Sequence, residues 1–369
     1  MNLGFFLPSG TKGGAEYIFL QLILEYQNRG HKTVIFFLTK KNVDSFILDI
    51  DNNKSIIYIC PVNRELYGYF FLPFFCFFHT LKYKKFSLVF STHVHLNSLV
   101  ALYRKFYLIN SASHVAREST LIFKRFIGIK LLMFKFFYHF GYRFIPNIIC
   151  QTELMKDELV KNLPWLSNFS NILVMTNPIN LTEIKIKSIL PFDKPPFEYI
   201  VAAGSLTYVK GFDILIKSFK NCLLKFPELK LLILGEGIIR KDLENLIKLL
   251  QISESVLLLG WQNNVYPFFK YSKVCVVSSR IEGFPNVLLQ EMACNNSVVS
   301  TLCAGGIENI PGIYYCQTEC VDQLANSIIK AIETNNNENR ILFDRYLEQN
   351  SVKNYVSKLN KLNIVEPEF

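Results

Sequence analysis

Residues Val276 to Thr301 read VVSSRIEGFPNVLLQEMACNNSVVST, and the rest of the chain is organised around them. Lys273 to Ser279 is an apolar run ending in small polar residues, the pattern of a buried strand and its exit. Arg280, Ile281, Glu282, Gly283, Phe284, Pro285 and Asn286 then make a turn with one acid at its apex. A helix follows, with Val287, Leu288, Met292 and Ala293 spaced for one face, before a second strand at Ser297 to Thr301. Strand, glycine turn and helix bring backbone N–H groups to a helix N-terminus, which suits anions and hydroxyls. Glu282 adds a fixed acceptor of the kind sugar hydroxyls need. On its own residues the stretch also fits an ordinary βαβ unit whose Glu282 is a solvated loop acid.

Working outward, the same half of the chain repeats the alternation. Tyr199 to Ala203 is a strand that runs into GSLTYVKGFDILIKSF. Leu229 to Leu234 is another, ending in Gly235-Glu236-Gly237 before a helix from Arg240 to Leu250. Val256 to Leu259 ends at Gly260, Asn264 to Tyr271 makes a short helix, and a closing helix runs from Thr318 to Glu333. The first half opens with a strand at Leu3 to Leu7, the loop PSGTKGGAE, a helix from about Glu16 to Asn28 and a strand at Thr33 to Leu38. Gly10, Gly13 and Gly14 miss the G-x-G-x-x-G spacing of a dinucleotide site, which counts against a nicotinamide oxidoreductase. Further strands are expected at Ser55 to Ile59, Ser87 to Phe90, Tyr107 to Ile109 and Ile148 to Gln151, the last closing the first domain. Asn177-Pro178 begins a connector reaching Pro195 and Pro196, where a hinge belongs. The expected domains are residues 1–180, 181–345 and a tail helix, 346–369, that crosses back to the first.

Composition narrows the function. Half the residues are hydrophobic, enough for two sizeable cores and against disorder. The net charge of +10 is held unevenly: through Asn180 there are 20 Lys and Arg against 10 Asp and Glu, and beyond it 20 against 20. An anionic surface or partner should therefore meet the first half, with no nucleic-acid motif accompanying the charge. Nine scattered cysteines lack disulfide or zinc spacing and point to reduced thiols; Cys316 and Cys320 suit a helix face. Asp49-Ile50-Asp51 lies in a polar loop and reads as solvated, and His93 and His95, which would share a strand face, lack a third ligand. No metal is expected. Nor is a secretory signal, since Met1 to Pro8 runs straight into the strand and its loop. Tyr69 to Phe78, YFFLPFFCFF, is too short to span a bilayer, and Leu121 to Phe144 mixes Lys124, Arg125, Lys130, Lys135 and Arg143 with Phe and Tyr and has no acid. Together they favour contact with an anionic membrane over a core helix with snorkelling cations.

The two loops GSLTYVKG and EGFPNVLLQE, at this separation, resemble the retaining glycosyltransferase family four, glycosyl transferases group 1, which has the GT-B fold. The resemblance implies an α/β protein of two Rossmann-like domains facing each other across a cleft. It implies a metal-independent enzyme with no cofactor, moving a sugar with retention from a nucleotide-sugar, most readily a UDP-sugar. In the family pattern G-R-L-x-x-x-K-G, Lys210 and Gly211 are in place and Ser205 stands at the arginine. In E-G-F-x-x-x-x-x-E-A, Glu282 is in place, Gln290 stands at the second acid and Glu291 follows it. By resemblance the donor diphosphate is held by Gly13, Gly14, Gly204, Ser205 and Lys210, with Arg280 as a further cation. The donor sugar falls to Glu282, Gly283, Phe284, Pro285 and Asn286, the ribose to Gln290, and the strand ends at Gly235 and Glu236 lie near the base. His114, with Arg117 second, is the expected residue on the acceptor side; a loop histidine satisfied by backbone is its plain alternative. Lys210, Glu282 and His114 are the expected catalytic residues. A lipid-linked saccharide acceptor at the inner face of the cytoplasmic membrane completes the expectation, in O-antigen- or capsule-type polysaccharide synthesis. The changes at Ser205 and Gln290 leave open a catalytically reduced, nucleotide-sugar-binding scaffold in a glycan-assembly complex.

Overall fold

A computed structural model of the chain describes residues 1–11, 13–83, 85–334 and 336–361. The described residues fall into two compact units, Met1–Pro178 with the helix Val352–Lys361, and Ile179–Ser351. The chain thus changes unit at residues 178–179, ahead of the helix Leu181–Ser188 inside the expected connector. It returns at Val352, so residues 346–349 end the helix Asn339–Gln349 of the second unit instead of opening the tail. Residues 362–369 of the expected tail lie outside the described residues.

The first unit is a seven-stranded sheet: β1 (Asn2–Leu7), β2 (Lys32–Phe37), β3 (Ser55–Ile59), β4 (Phe86–Thr92), β5 (Ser111–Arg117), β6 (Asn147–Cys150) and β7 (Asn171–Val174). Their order is β3-β2-β1-β4-β5-β6-β7 and every pairing is parallel. Both faces of a parallel sheet are covered, so its strands read as continuous apolar runs such as LGFFL instead of alternating ones. On one face Phe5 stacks on Phe90 at 4.9 Å beneath the helix Gly14–Asn28, and Tyr355 and Leu359 of Val352–Lys361 join that core. On the other face Phe6 stacks on Phe36 at 4.5 Å, beneath Leu72 and Cys76 of the helix Glu65–Lys82 and Leu96 and Val100 of the helix Val94–Lys105.

Several expectations need correcting in this unit. Tyr107 to Ile109 is a turn, not a strand: Tyr107 has φ 58° just after the helix Val94–Lys105 ends, and the strand begins at Ser111. Its sequence SASHVAR opens with polar residues, so the apolar signal for it is weak. β4 stops at Thr92, and His95 lies on a helix, so the two histidines do not continue a strand. Asn147–Cys150 is followed in the sheet by β7, a four-residue strand too short to stand out. Leu121 to Phe144 is broken into Ile122–Arg125 and Gly128–Gly141, with Gly128 at φ 60° opening the second.

The second unit has six strands: β8 (Tyr199–Ala203), β9 (Lys230–Leu234), β10 (Val256–Gly260), β11 (Val274–Val277), β12 (Val298–Thr301) and β13 (Tyr314–Cys316), in the parallel order β10-β9-β8-β11-β12-β13. Helices Phe212–Leu223, Arg240–Leu249 and Val321–Glu333 cover one face. Helices Tyr266–Tyr271, Asn286–Cys294 and Asn339–Gln349 cover the other. Cys316 ends a strand and Cys320 precedes a helix, so the two do not share a helix face.

Candidate active site

In both sheets the strand order reverses between neighbours at the centre, β1 beside β4 and β8 beside β11. Loops leaving the carboxyl ends of such a pair turn away from each other and leave a crevice where ligands of open α/β sheets bind. In the second unit the two loops are the two motifs. Lys210 follows β8, Glu282 follows β11, and Lys210 Nζ donates to Glu282 Oε1 at 2.6 Å, both side chains being about one-fifth exposed. Ser279 Oγ donates to the same oxygen at 3.1 Å.

Backbone contacts fix the two loops together. Arg280 N–H donates to the Val209 carbonyl at 2.7 Å, Ser278 Oγ to the Lys210 carbonyl at 2.9 Å, and Glu282 N–H to the Cys303 carbonyl at 2.8 Å. Gly211 has φ 65°, and a Cβ there would lie 2.1 Å from the Ser278 carbonyl oxygen. Only glycine allows this approach, which is why a Lys-Gly pair occupies the loop. Gly235 is held as tightly, its would-be Cβ 1.9 Å from the carbonyl oxygen of Gly204, so the ends of β8 and β9 meet there.

The remaining donor-side candidates fall into two groups. Gly283, Phe284 and Pro285 are buried, and Asn286 opens the helix Asn286–Cys294. Ser205 is exposed in the loop after β8, and Gln290 is part-exposed one turn beyond Asn286. Arg280 and Glu236 already have protein partners. Arg280 donates to both oxygens of Asp213 at 2.7 and 2.8 Å and to Glu319, and its guanidinium stacks on the Tyr208 ring at 3.8 Å. The Asp213 hydrogen bonds hold the guanidinium above its ordinary pKa; burial works against ionised Asp213, but Arg280 outweighs it and keeps that carboxyl low. Arg280 therefore braces the loops, leaving the cationic role beside Glu282 to Lys210. Glu236 accepts from Arg240 at 2.6 Å. Glu291 is fully buried with neither carboxylate oxygen partnered, on the inward stripe with Leu288 and Met292. Burial pushes its carboxyl well above the usual range, with the Lys210 charge opposing.

In the first unit the structure corrects the acceptor-side expectation. His114 is fully buried inside β5, not in a loop. Ser91 Oγ donates to Asn97 at 2.7 Å, so it accepts from His114 Nε2 at 2.7 Å, and burial keeps the imidazole neutral. Arg117, three residues on, projects to the opposite face at the carboxyl end of the strand. There it donates to Asn177 Oδ1 at 2.5 Å beside Tyr355. Two residues that sequence reasoning did not assign to the site join it at the same sheet edge. Glu16 follows the Gly13-Gly14 turn, and His93 follows β4 with φ 67°; their side chains approach to 3.9 Å. Burial lifts the Glu16 carboxyl and, with His95 beside it, takes the His93 imidazole down to about 4. A Cβ on Gly13 would lie 3.1 Å from Glu16 Oε2, so the turn and the acid are in close contact. The available signal was a histidine at a strand exit; strain at such a non-glycine residue is common in functional sites. Behind Arg117, Glu118 accepts from Tyr138 at 2.9 Å and from Tyr142, a buried structural cluster.

Among the described residues no three His, Cys, Asp or Glu could hold a metal ion. Asp51 of the D-x-D string instead accepts from the Asn53 N–H at 3.0 Å.

Residues 184–346 match the model of the family described as glycosyl transferases group 1, which bears out the resemblance read from the two loops. An uncharacterized glycosyltransferase of Methanocaldococcus jannaschii is 34% identical over 189 residues, 49% of this chain and 45% of that one. The N-acetylgalactosamine-N,N'-diacetylbacillosaminyl-diphospho-undecaprenol 4-alpha-N-acetylgalactosaminyltransferase of Campylobacter jejuni is 38% identical over 115 residues, 31% of each chain. The matches span less than half the length of these curated relatives. Anabaena Alr3699/HepE in complex with UDP and glucose superposes with a TM-score of 0.76 over 98% of this chain and 99% of that one, at 16% identity. The Escherichia coli trehalose-6-phosphate structure bound with UDP-2-fluoro glucose gives 0.77 over the whole of both chains, at 13% identity. These likenesses concern the fold, two parallel-sheet α/β units of the GT-B class.

Proposed function

We propose, from the premise that residues 184–346 are a glycosyl transferases group 1 domain, that the chain moves a sugar from a nucleotide-sugar to a lipid-linked glycan during cell-surface polysaccharide synthesis. The observation that carries this reading is the Lys210–Glu282 pair at the centre of the second sheet. Breaking the bond between the sugar's anomeric carbon and the diphosphate puts negative charge on the leaving group, and a fixed cation there lowers the barrier. With the donor bound, Lys210 turns to the phosphates and Glu282 is released to accept from sugar hydroxyls. The start of the helix Asn286–Cys294 adds backbone amides. The departing phosphate takes the acceptor proton on the same face of the sugar, which gives retention with neither a metal nor a second carboxylate nucleophile. The UDP in the two structural neighbours makes a UDP-sugar the first donor to try, and the Campylobacter relative's name makes an undecaprenyl-diphosphate saccharide the acceptor class. A peripheral position on the inner face of the cytoplasmic membrane follows from such an acceptor.

One observation favours a second reading. Ser205 is exposed and uncharged and Gln290 is an amide, so the donor site has lost one cation and one acid relative to the family pattern. A scaffold that binds a nucleotide-sugar without transferring it would show this. Turnover of UDP-, GDP- and ADP-sugars with a membrane lipid extract separates the two. Label entering the lipid fraction from one donor, reduced about 100- to 1,000-fold in Lys210→Ala and also lost in Glu282→Ala, establishes transfer. Binding without transfer establishes the scaffold, and no binding refutes both.

A further inference from the structure

We infer that the outer surface of one helical layer of the first unit is a docking face that lies in the headgroup region of an anionic lipid bilayer. Helices Glu65–Lys82, Val94–Lys105 and Gly128–Gly141 stand side by side. Tyr103 of the middle helix donates to the Tyr69 carbonyl on one flank at 3.5 Å, and Ser98 to the Phe137 carbonyl on the other at 2.9 Å. The first helix meets the sheet through a narrow stripe, Gly68, Leu72, Cys76 and His79. Its other sides are not polar. Phe70 is 69% and Phe74 63% exposed, and residues 66–81 carry no Lys, Arg, Asp or Glu. The third helix buries only Tyr138 and Gly141 and presents Ile129 at 86% and Leu132 at 66%, with Met133, Phe136 and Phe140.

A water-facing helix of a globular protein carries charges on its outer side; one that is apolar all round is sealed by protein or by lipid. The exposed apolar surface is on the order of 1,500 Å², against about 300–600 Å² for the largest patch on an ordinary monomer. Charge identifies the occupant. Lys82, Lys105, Lys130 and Lys135 lie on these three helices, with Lys85 and Arg143 just beyond their ends, and all six are exposed, while Gly128–Gly141 and residues 99–109 contain no acid. A second copy placed face to face would set these cations against their equivalents, whereas anionic headgroups would neutralise them. No helix among the described residues is long and apolar enough to cross a membrane, so the face lies in the interface plane instead of spanning it.

This deepens the proposal of a lipid-linked acceptor, resting on it only for the purpose of the contact, and is tested without donor or acceptor. The full chain is sedimented with phosphatidylethanolamine–phosphatidylglycerol vesicles and with phosphatidylcholine vesicles, at low and high salt. Co-sedimentation with the anionic vesicles, weakened by salt and lowered more than about tenfold in the triple variant Phe70→Asp, Phe74→Asp, Phe78→Asp, supports the inference. The variant's unfolding temperature and UDP binding should match the parent's, since all three side chains are exposed and UDP binding reports the second unit. Lys130→Glu with Lys135→Glu should abolish the preference for anionic over neutral vesicles. Absence of vesicle binding by the parent overturns the inference whether or not UDP binds, and a dimer that the triple variant dissociates would assign the face to a second copy.

Discussion

Replacing Glu291 by glutamine should stabilise the protein, and by more as the pH rises. The carboxyl has no exposed surface and no partner for either oxygen, and burial holds it protonated well above the ordinary carboxylate range. In the unfolded chain the same group titrates near about 4.3. Above that pH the unfolded state binds fewer protons than the folded one. Stability therefore falls as pH rises, by about 1.4 kcal/mol per unit for as long as the folded carboxyl keeps its proton. Above pH 5 the native chain should lose stability with rising pH that Glu291→Gln, with the same shape and no proton to lose, retains. Near pH 4.5 the two should agree within about 1 kcal/mol, because the buried amide is as poorly partnered as the acid. For a unit spanning Ile179–Ser351 each kcal/mol of difference is worth roughly 2–4 °C in Tm. Scanning calorimetry from pH 4.5 to 8 measures it. A gap between the two proteins that does not change with pH would show that Glu291 is ionised and solvated, and would refute the argument.

Two further outcomes follow from the same geometry. Restoring a cation with Ser205→Arg should lower the KM for the nucleotide-sugar by about tenfold, since a guanidinium forks onto phosphate where a hydroxyl cannot. Donor titration checks it, and an unchanged KM would place residue 205 away from the phosphates. In the first unit three imidazoles, buried at His79 and part-buried at His93 and His95, act with the opposite sign to Glu291. Burial takes His79, His93 and His95 down to about 4, so the unfolded state binds more protons below about 6.5. Their contribution should be complete above about 6.5 and disappear as pH falls towards 4, up to about 3 kcal/mol each. Urea unfolding followed by Trp165 fluorescence in a Trp261→Phe background reports this unit, and flat stability across that window would refute it.

The sequence by itself determined the elements and the two motifs. Apolar runs of strand length, helical spacing and glycine turns are local properties, and the two motif loops depend on local backbone geometry at a strand exit. Elements failed to show where the local signal was weak, in the polar opening of β5, in the four residues of β7 and in the three of β13. The tertiary structure alone decided which side chains meet. Lys210 and Glu282 are 72 residues apart and touch because β8 and β11 are neighbours at the point where the strand order reverses. Asp213 and Glu319 engage Arg280, which local reading left as a free cation for the donor. A shift of a few residues along β5 separates buried His114 from Arg117 at the sheet edge, because a strand sends successive side chains to opposite faces. On the helix after β11, Gln290 stays part-exposed while the next residue, Glu291, is sealed in the core. Period and turn chemistry are written along the chain, whereas a side chain's partner depends on strand order and register, which are settled only when distant segments pack.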